Sequence, residues 1–154
     1  MNCFTFISQP LSYNGWKKTS QEGINYIDLI RTSYTKYNPE LIRQTEELYG
    51  IIYYFHKRKT GTDADNISKP IWDCLTGYTY KDDRIIKMRI AGCFAIKDDS
   101  FQELDITNIP KEVSFDLINA IASEDRDNLH VVYVEFGLLK KDFYKFCLEV
   151  SNGN

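Results

Sequence analysis

The 154-residue sequence lacks long apolar runs and closely spaced cysteines. Its longest apolar runs, near Ile51–Phe55 and Val131–Leu139, are far shorter than the roughly 20 residues that a membrane-spanning helix needs. The four cysteines lie far apart without a CxxC pair, which argues against a zinc site or a disulfide framework. Met1–Pro10 carries no basic segment before an apolar stretch, so we expect a cytoplasmic protein with reduced thiols and no membrane contact.

The chain also lacks an excess of positive charge, since its net charge is −3. Residues 1–97 nevertheless hold 14 Lys or Arg against 10 Asp or Glu, whereas residues 98–154 hold 5 against 12. Several acids of the first part crowd between Asp63 and Asp83, so the remainder of that part is more basic than its total suggests. A surface that binds DNA phosphates can therefore lie in the first part. The acidic second part is a candidate for contact with a protein partner.

Hydrophobic periodicity predicts alternating strands and helices without a linker or a repeat. The expected strands are Phe4–Ser8, Leu48–Phe55, Arg84–Lys97 and Leu129–Leu139, and the expected helices are Gln21–Tyr37, Asn66–Thr76, Lys111–Ser123 and Lys140–Val150. This order indicates an α+β fold over residues 1–154, a single domain with a mixed β-sheet flanked by helices. An acidic stretch near Asp98–Asp127 is expected to be an insertion before the last strand.

Carboxylates are concentrated where the second helix is expected to begin. Asp63 and Asp65 flank one small residue, and in an extended segment side chains two positions apart point the same way. Two converging carboxylates are unfavourable unless a cation lies between them, and Mg²⁺ prefers such hard oxygen ligands. The pair Asp82-Asp83, at the start of the next strand, would complete the set. Asp65 could instead be the N-cap of the helix.

Lysine and aspartate recur behind these carboxylates at helical spacing. Asp65, Lys69 and Asp73 follow one another at four-residue steps, which predicts that they share one face of the helix. Lys69 would then project close to the metal, and Asp73 is expected to orient it. A metal that activates water beside a lysine suits phosphodiester hydrolysis. Asp82 is either a supporting residue beside the ligands or a turn residue.

Basic and aromatic residues near this segment are candidates for DNA contact. The run Lys57-Arg58-Lys59 leads into the carboxylates and could hold the DNA backbone, as could Lys17-Lys18 with less support. Both groups could equally be solvated loops. Tyr78 and Tyr80 are expected to be exposed, and one of them could stack on an unpaired base.

The combined pattern D-x-D-N-x-x-K-x-x-x-D-x-L, followed by D-D before an apolar strand, resembles the signature of the RusA family. The matching residues are Asp63, Asp65, Asn66, Lys69, Asp73, Leu75, Asp82 and Asp83. The segment Pro10–Asn14 also resembles the proline-containing loop of that family, so the resemblance covers about residues 4–97.

The resemblance implies a RusA-like endonuclease that resolves four-way (Holliday) junctions in DNA recombination and repair. It implies a homodimer that makes paired symmetric nicks, of a kind common in phages and prophages. It also implies Mg²⁺, for which Mn²⁺ would substitute, held by Asp63, Asp65 and Asp83, with Lys69 needed for cleavage. Asn66, Asp73 and Asp82 would support these residues.

A non-catalytic alternative remains open at this point. The chain is acidic, whereas the better-known family members are basic, and the stretch Asp98–Asp127 is long for a minimal member. A RusA-like module could therefore bind branched DNA, or a protein partner through its acidic second part, without cleaving. The intact set of carboxylates speaks against this alternative.

Overall fold

The computed structural model describes residues 1–57, 63–96, 104–123 and 129–140. Its elements are β1 (Asn2–Ile7), α1 (Gln21–Tyr37), β2 (Leu48–His56), α2 (Ala64–Leu75), β3 (Ile86–Ala95), α3 (Lys111–Ala122) and β4 (His130–Leu138). Two short 3₁₀ turns, at Tyr13–Gly15 and Asp83–Ile85, lie before α1 and β3. The predicted α+β fold is confirmed. All but the first residue of the expected helix Lys140–Val150 lies outside the described residues.

The four strands form one mixed sheet in the order β1-β4-β2-β3. Strands β2 and β3 are parallel, whereas β4 runs antiparallel to both β1 and β2. Because two parallel strands cannot be joined by a tight hairpin, the chain crosses over through α2 between β2 and β3. This crossover holds α2 against the sheet beside β3, and the predicted site residues follow that path.

Helices cover both faces of the sheet. On one face, α1 and α2 bury a cluster that includes Ile30, Ile71 and Val134. On the other, α3 packs Val113 and Leu117 against residues of β1, β2 and β4. Helix α3 lies within the acidic stretch that the sequence had indicated as an insertion, so part of that stretch covers the second face of the sheet. No helix of the described residues is both long and apolar enough to span a membrane.

The beginning of α2 differs from the prediction. The helix starts at Ala64, and Asp63 is its N-cap with extended backbone angles. Asp65 lies in the first turn, so the proposed N-cap role of Asp65 is wrong. The predicted extended conformation of Asp63–Asp65 is also wrong, since only Asp63 is extended. A carboxylate in a first turn still interacts favourably with the positive end of the helix dipole.

Pro70 lies inside α2. Proline has no N–H, so the carbonyl of Asn66 cannot receive the usual helical bond at this point. The helix ends at Leu75, and Gly77 adopts a positive φ of 77°, as expected for a glycine that stops a helix.

Close packing fixes α2 over β2. The indole of Trp72 is fully buried above Gly50, and a Cβ at Gly50 would come within 2.7 Å of that ring. Glycine at this position therefore lets the helix approach the sheet, and with it the side chains that α2 carries.

Candidate active site

The predicted residues lie along the facing sides of α2 and β3. Alternation along β3 places Arg89, Ala91 and Cys93 on one side of that strand. Ala91 and Cys93 pair with Ile52 and Tyr54 of β2, whose side chains lie in the core beneath α1 and α2. The predicted carboxylates and lysine of α2 therefore share this side of the sheet with Arg89 and Cys93.

Lys69 connects the helix to the segment before β3. Its Nζ donates to Asp73 Oδ1 at 2.5 Å, one helical turn away, and lies 3.6 Å from Asp83 Oδ2. Partial burial lowers the pKa of Lys69, but the two carboxylates outweigh this effect and the pKa is raised. Lys69 is therefore positively charged at neutral pH.

Asp73 is held on both of its oxygens. Its Oδ2 accepts a hydrogen bond from Trp16 Nε1 at 3.1 Å, while Oδ1 accepts from Lys69. Lys18 Nζ also approaches Oδ1 at 3.9 Å, and only 13% of the Asp73 side chain is exposed. The loop before α1 thus anchors the carboxylate that in turn holds the Lys69 ammonium.

Asp83 contacts two cationic side chains, those of Arg89 and Lys69. Arg89 Nη2 donates to Asp83 Oδ2 at 3.0 Å and to the Asp83 carbonyl at 2.8 Å. Because Lys69 also lies near Oδ2, the carboxylate, which is 18% exposed, is enclosed by positive charge.

Asp82 points to a different partner. It is the N-cap of the 3₁₀ turn, and Arg84 binds it through its backbone N–H and its guanidinium. These hydrogen bonds hold the pKa of Asp82 down at about 2. Its contacts are those of the turn residue that the sequence left as one alternative.

Asp63 and Asp65 lie at the exposed beginning of α2. Asp65 Oδ1 accepts from the backbone N–H of Asn66, which also donates to the Asp63 carbonyl. Burial raises the pKa of the Cys93 thiol, and the negative charges of Asp63 and Asp65 raise it further.

The donor chemistry of this region fits a divalent cation, but the carboxylates are not drawn together. Asp63 is an N-cap whose carboxylate accepts no capping hydrogen bond within the described part of α2. Across the described residues, no three His, Cys, Asp or Glu side chains form a group that could hold a metal ion. Asp83 is instead held by Arg89 of β3.

The proposed DNA contacts are only partly described. Lys17 and Lys18 are exposed, and Lys18 reaches Asp73. Lys57 follows the end of β2, whereas Arg58 and Lys59 lie outside the described residues. Their role in DNA binding stays a prediction.

The expectation of two exposed tyrosines is wrong for Tyr80. Its side chain is 0% exposed, and its hydroxyl donates to the Trp72 carbonyl at 2.8 Å. Tyr78 is partly buried, and its hydroxyl is paired with that of Thr35. Tyr80 is therefore a core residue beneath α2 and cannot stack on a base.

Three residues of this region escaped the sequence reasoning: Trp16, Arg89 and Cys93. Trp16 is far from Asp73 in the sequence, so nothing in the local pattern indicates their contact. Arg89 was detectable in principle, because a charged residue facing a helix from a strand must find a partner.

Comparison with known proteins matches residues 26–99 to the family model of endodeoxyribonuclease RusA. The match contains β2, α2 and β3, together with all the carboxylates described above. None of the curated proteins matches the chain.

Proposed function

Because this chain belongs, through residues 26–99, to the RusA family of endodeoxyribonucleases, we propose that it is a Mg²⁺-dependent resolvase of four-way DNA junctions. The family supports a nuclease that acts on branched DNA in recombination. The metal dependence, the paired symmetric nicks, the homodimer and the site residues are our proposals. The observation that carries them is the contact of Lys69 with both Asp73 and Asp83, which links the motif on α2 to the motif before β3.

The proposed metal ligands are Asp63, Asp65 and Asp83, with Mg²⁺ or Mn²⁺ as the ion. When bound, such an ion supplies an activated water and neutralises charge on the reacting phosphate. Carboxylate oxygens are the donors that this ion prefers, and it usually keeps several waters and substrate oxygens as further ligands.

Lys69 is the proposed catalytic cation. Its ammonium stays protonated, since Asp73 and Asp83 raise its pKa, so it supplies positive charge to a phosphate oxygen rather than accepting a proton. Asp73 fixes the ammonium, and Trp16 fixes Asp73. A cation that is already in place avoids the cost of ordering a long side chain during the reaction.

Basic residues around the site would position the DNA. Lys17 and Lys18 are exposed, Lys18 Nζ lies 3.9 Å from Asp73 Oδ1, and the run Lys57-Arg58-Lys59 precedes the proposed ligands in the sequence. Contacts of this kind bind phosphates without reading sequence and weaken as salt rises.

A homodimer would present two equivalent sites to the two-fold symmetry of a junction. Symmetric dimers are the commonest oligomers, and two such sites would nick two strands of the same polarity together. We further propose that the protein acts in the cytoplasm. We also propose that its acidic second part, residues 98–154, contacts a protein partner.

The direct test is cleavage of a synthetic four-way junction. The wild-type chain should give paired symmetric nicks in Mg²⁺ and none in EDTA. Asp65→Asn should retain junction binding and lose at least about a hundredfold in cleavage rate, because a lost ligand removes several kcal/mol of transition-state stabilisation. Asp28→Asn, which removes an exposed carboxylate from α1, should behave as wild type.

Two other outcomes would redirect the proposal. Equal cutting of linear duplex and junction would leave a nuclease without junction selectivity. Tight junction binding with no cleavage in either Mg²⁺ or Mn²⁺ would favour the non-catalytic module. That alternative draws on the cations paired with Asp83 and on the acidic second part of the chain.

A further inference from the structure

We propose that Arg89 is a second phosphate-binding cation of this site, which contacts, together with Lys69, one phosphodiester group of the bound DNA. This inference rests on the proposed function, because it takes branched DNA as the ligand and Lys69 as the first cation. Arg89 lies on β3, outside the sequence motif that contains Lys69.

The two cations converge on one atom. Arg89 Nη2 lies 3.0 Å from Asp83 Oδ2, and Lys69 Nζ lies 3.6 Å from the same oxygen. The two charged groups, one from β3 and one from α2, therefore lie on the same side of one carboxylate. A phosphodiester, like a carboxylate, has two oxygens that share one negative charge. Two cations placed in this way can therefore bind it through the same kind of charge-assisted hydrogen bond.

Most of the hydrogen-bonding capacity of Arg89 is unused. A guanidinium has five N–H donors, and within the described part of the chain only Nη2 makes hydrogen bonds, to the Asp83 carboxylate and to the Asp83 carbonyl at 2.8 Å. The Arg89 side chain is 32% exposed, and β3 lies at the edge of the described sheet. The bond to the carbonyl fixes the guanidinium in place, while its remaining donors suit the forked recognition of a phosphate.

The charge balance of the cluster also favours an anion. Lys18, Lys69 and Arg89 contribute three positive charges, and each of their side chains is partly exposed. The carboxylates that they contact, Asp73 and Asp83, contribute two negative charges. A phosphodiester of DNA carries one negative charge, which would balance this excess.

A purely structural role for Arg89 predicts a different result. An arginine that only holds Asp83 and the turn before β3 would affect junction binding equally, whether or not the DNA carries a charged group at this point. An arginine that contacts a phosphate loses its contribution when that phosphate is made neutral. The two roles are therefore separated by an experiment that changes both partners.

The test measures junction affinity in EDTA, with a four-way junction that carries a methylphosphonate, a neutral analogue of the phosphate, at one position where the wild-type chain cuts. This modification should weaken wild-type binding about five- to tenfold, because the phosphate loses its charge-assisted hydrogen bonds to Arg89 and Lys69. It should weaken binding by Arg89→Met at most about threefold, because only the contact with Lys69 is left to lose.

Arg84→Met is the matched control. It removes the same charge from the same segment, but Arg84 is paired with Asp82 and its side chain is 86% exposed. The methylphosphonate should therefore weaken binding by Arg84→Met as much as binding by wild type.

The outcomes separate this inference from the proposed function. Equal losses of affinity in Arg89→Met and wild type, including no loss in either, overturn the inference even where the wild-type chain cuts junctions as proposed. An equally reduced loss in Arg84→Met also overturns it, since that would be a general effect of charge. Wild-type protein that does not cut the junction overturns the proposed function and the inference with it. If Arg89→Met does not fold, Arg89→Gln decides the question by the same comparison.

Discussion

Replacing Asp73 with asparagine should separate the position of Lys69 from its charge. The change removes the charged acceptor of Lys69 Nζ at 2.5 Å but keeps an oxygen that can accept from Trp16. Hydrogen bonds between charged groups contribute about 1.5–3 kcal/mol. Because the Lys69 side chain is 40% exposed, solvent screening reduces the expected loss of stability to about 1–2 kcal/mol. The junction-cleavage rate should fall about 10- to 100-fold, since the ammonium is no longer fixed.

The dependence of cleavage on pH distinguishes this account from a structural defect. Burial opposes the charge of Lys69, but its carboxylate partners raise the pKa above the ordinary value of 10.5. A cation whose pKa is raised in the folded state keeps its charge and its contribution to stability at pH values below its pKa in the unfolded state. It loses both as the pH rises through its pKa in the folded state. Asp73→Asn should therefore move the alkaline limit of activity to lower pH.

The control for this prediction lies on the other face of the sheet. Asp116 pairs with Lys36 at 2.7 Å and accepts a bond from Tyr37, so Asp116→Asn also breaks an ion pair. It should leave both the cleavage rate and its pH profile unchanged. An Asp73→Asn protein with wild-type cleavage, or with reduced cleavage and an unmoved alkaline limit, would refute the proposed positioning of Lys69.

Two further predictions concern packing and metal proximity. Gly50→Ala should lower the free energy of unfolding by about 1–3 kcal/mol, as measured in a denaturant titration, because the new Cβ would overlap the buried Trp72 ring. Gly15→Ala is the control and should have little effect, because the nearest atom would lie 3.8 Å from its Cβ. Mg²⁺ bound at the beginning of α2 should lower the pKa of the Cys93 thiol and accelerate its reaction with a disulfide probe. This rate is measured as the difference between wild type and Cys93→Ser, and a rate unaffected by Mg²⁺ at constant ionic strength would contradict the placement of the ion.

Local sequence signals were sufficient for the order of the elements. Apolar residues at helical spacing, followed by Asn38-Pro39, predicted α1 over Gln21–Tyr37, which are its bounds in the structure. Alternating and β-branched segments predicted the four strands to within a few residues. These features depend on neighbours in the sequence, and Gly77 ended α2 for the same local reason.

Contacts between distant segments could not be predicted in this way. Pro70 lies within α2 because the tertiary packing of that helix outweighs the lost backbone bond. Tyr80 reads as a loop tyrosine, but the fold buries its ring and satisfies its hydroxyl with the Trp72 carbonyl. The pairing of Arg89 with Asp83 depends on the turn between them, which no periodicity encodes.

Anomalous diffraction from crystals soaked in Mn²⁺ tests the central claim most directly. We expect one strong peak, with carboxylate oxygens of Asp63, Asp65 and Asp83 at roughly 2.0–2.3 Å from it. A peak elsewhere, or no peak at saturating Mn²⁺, would contradict the proposed metal site.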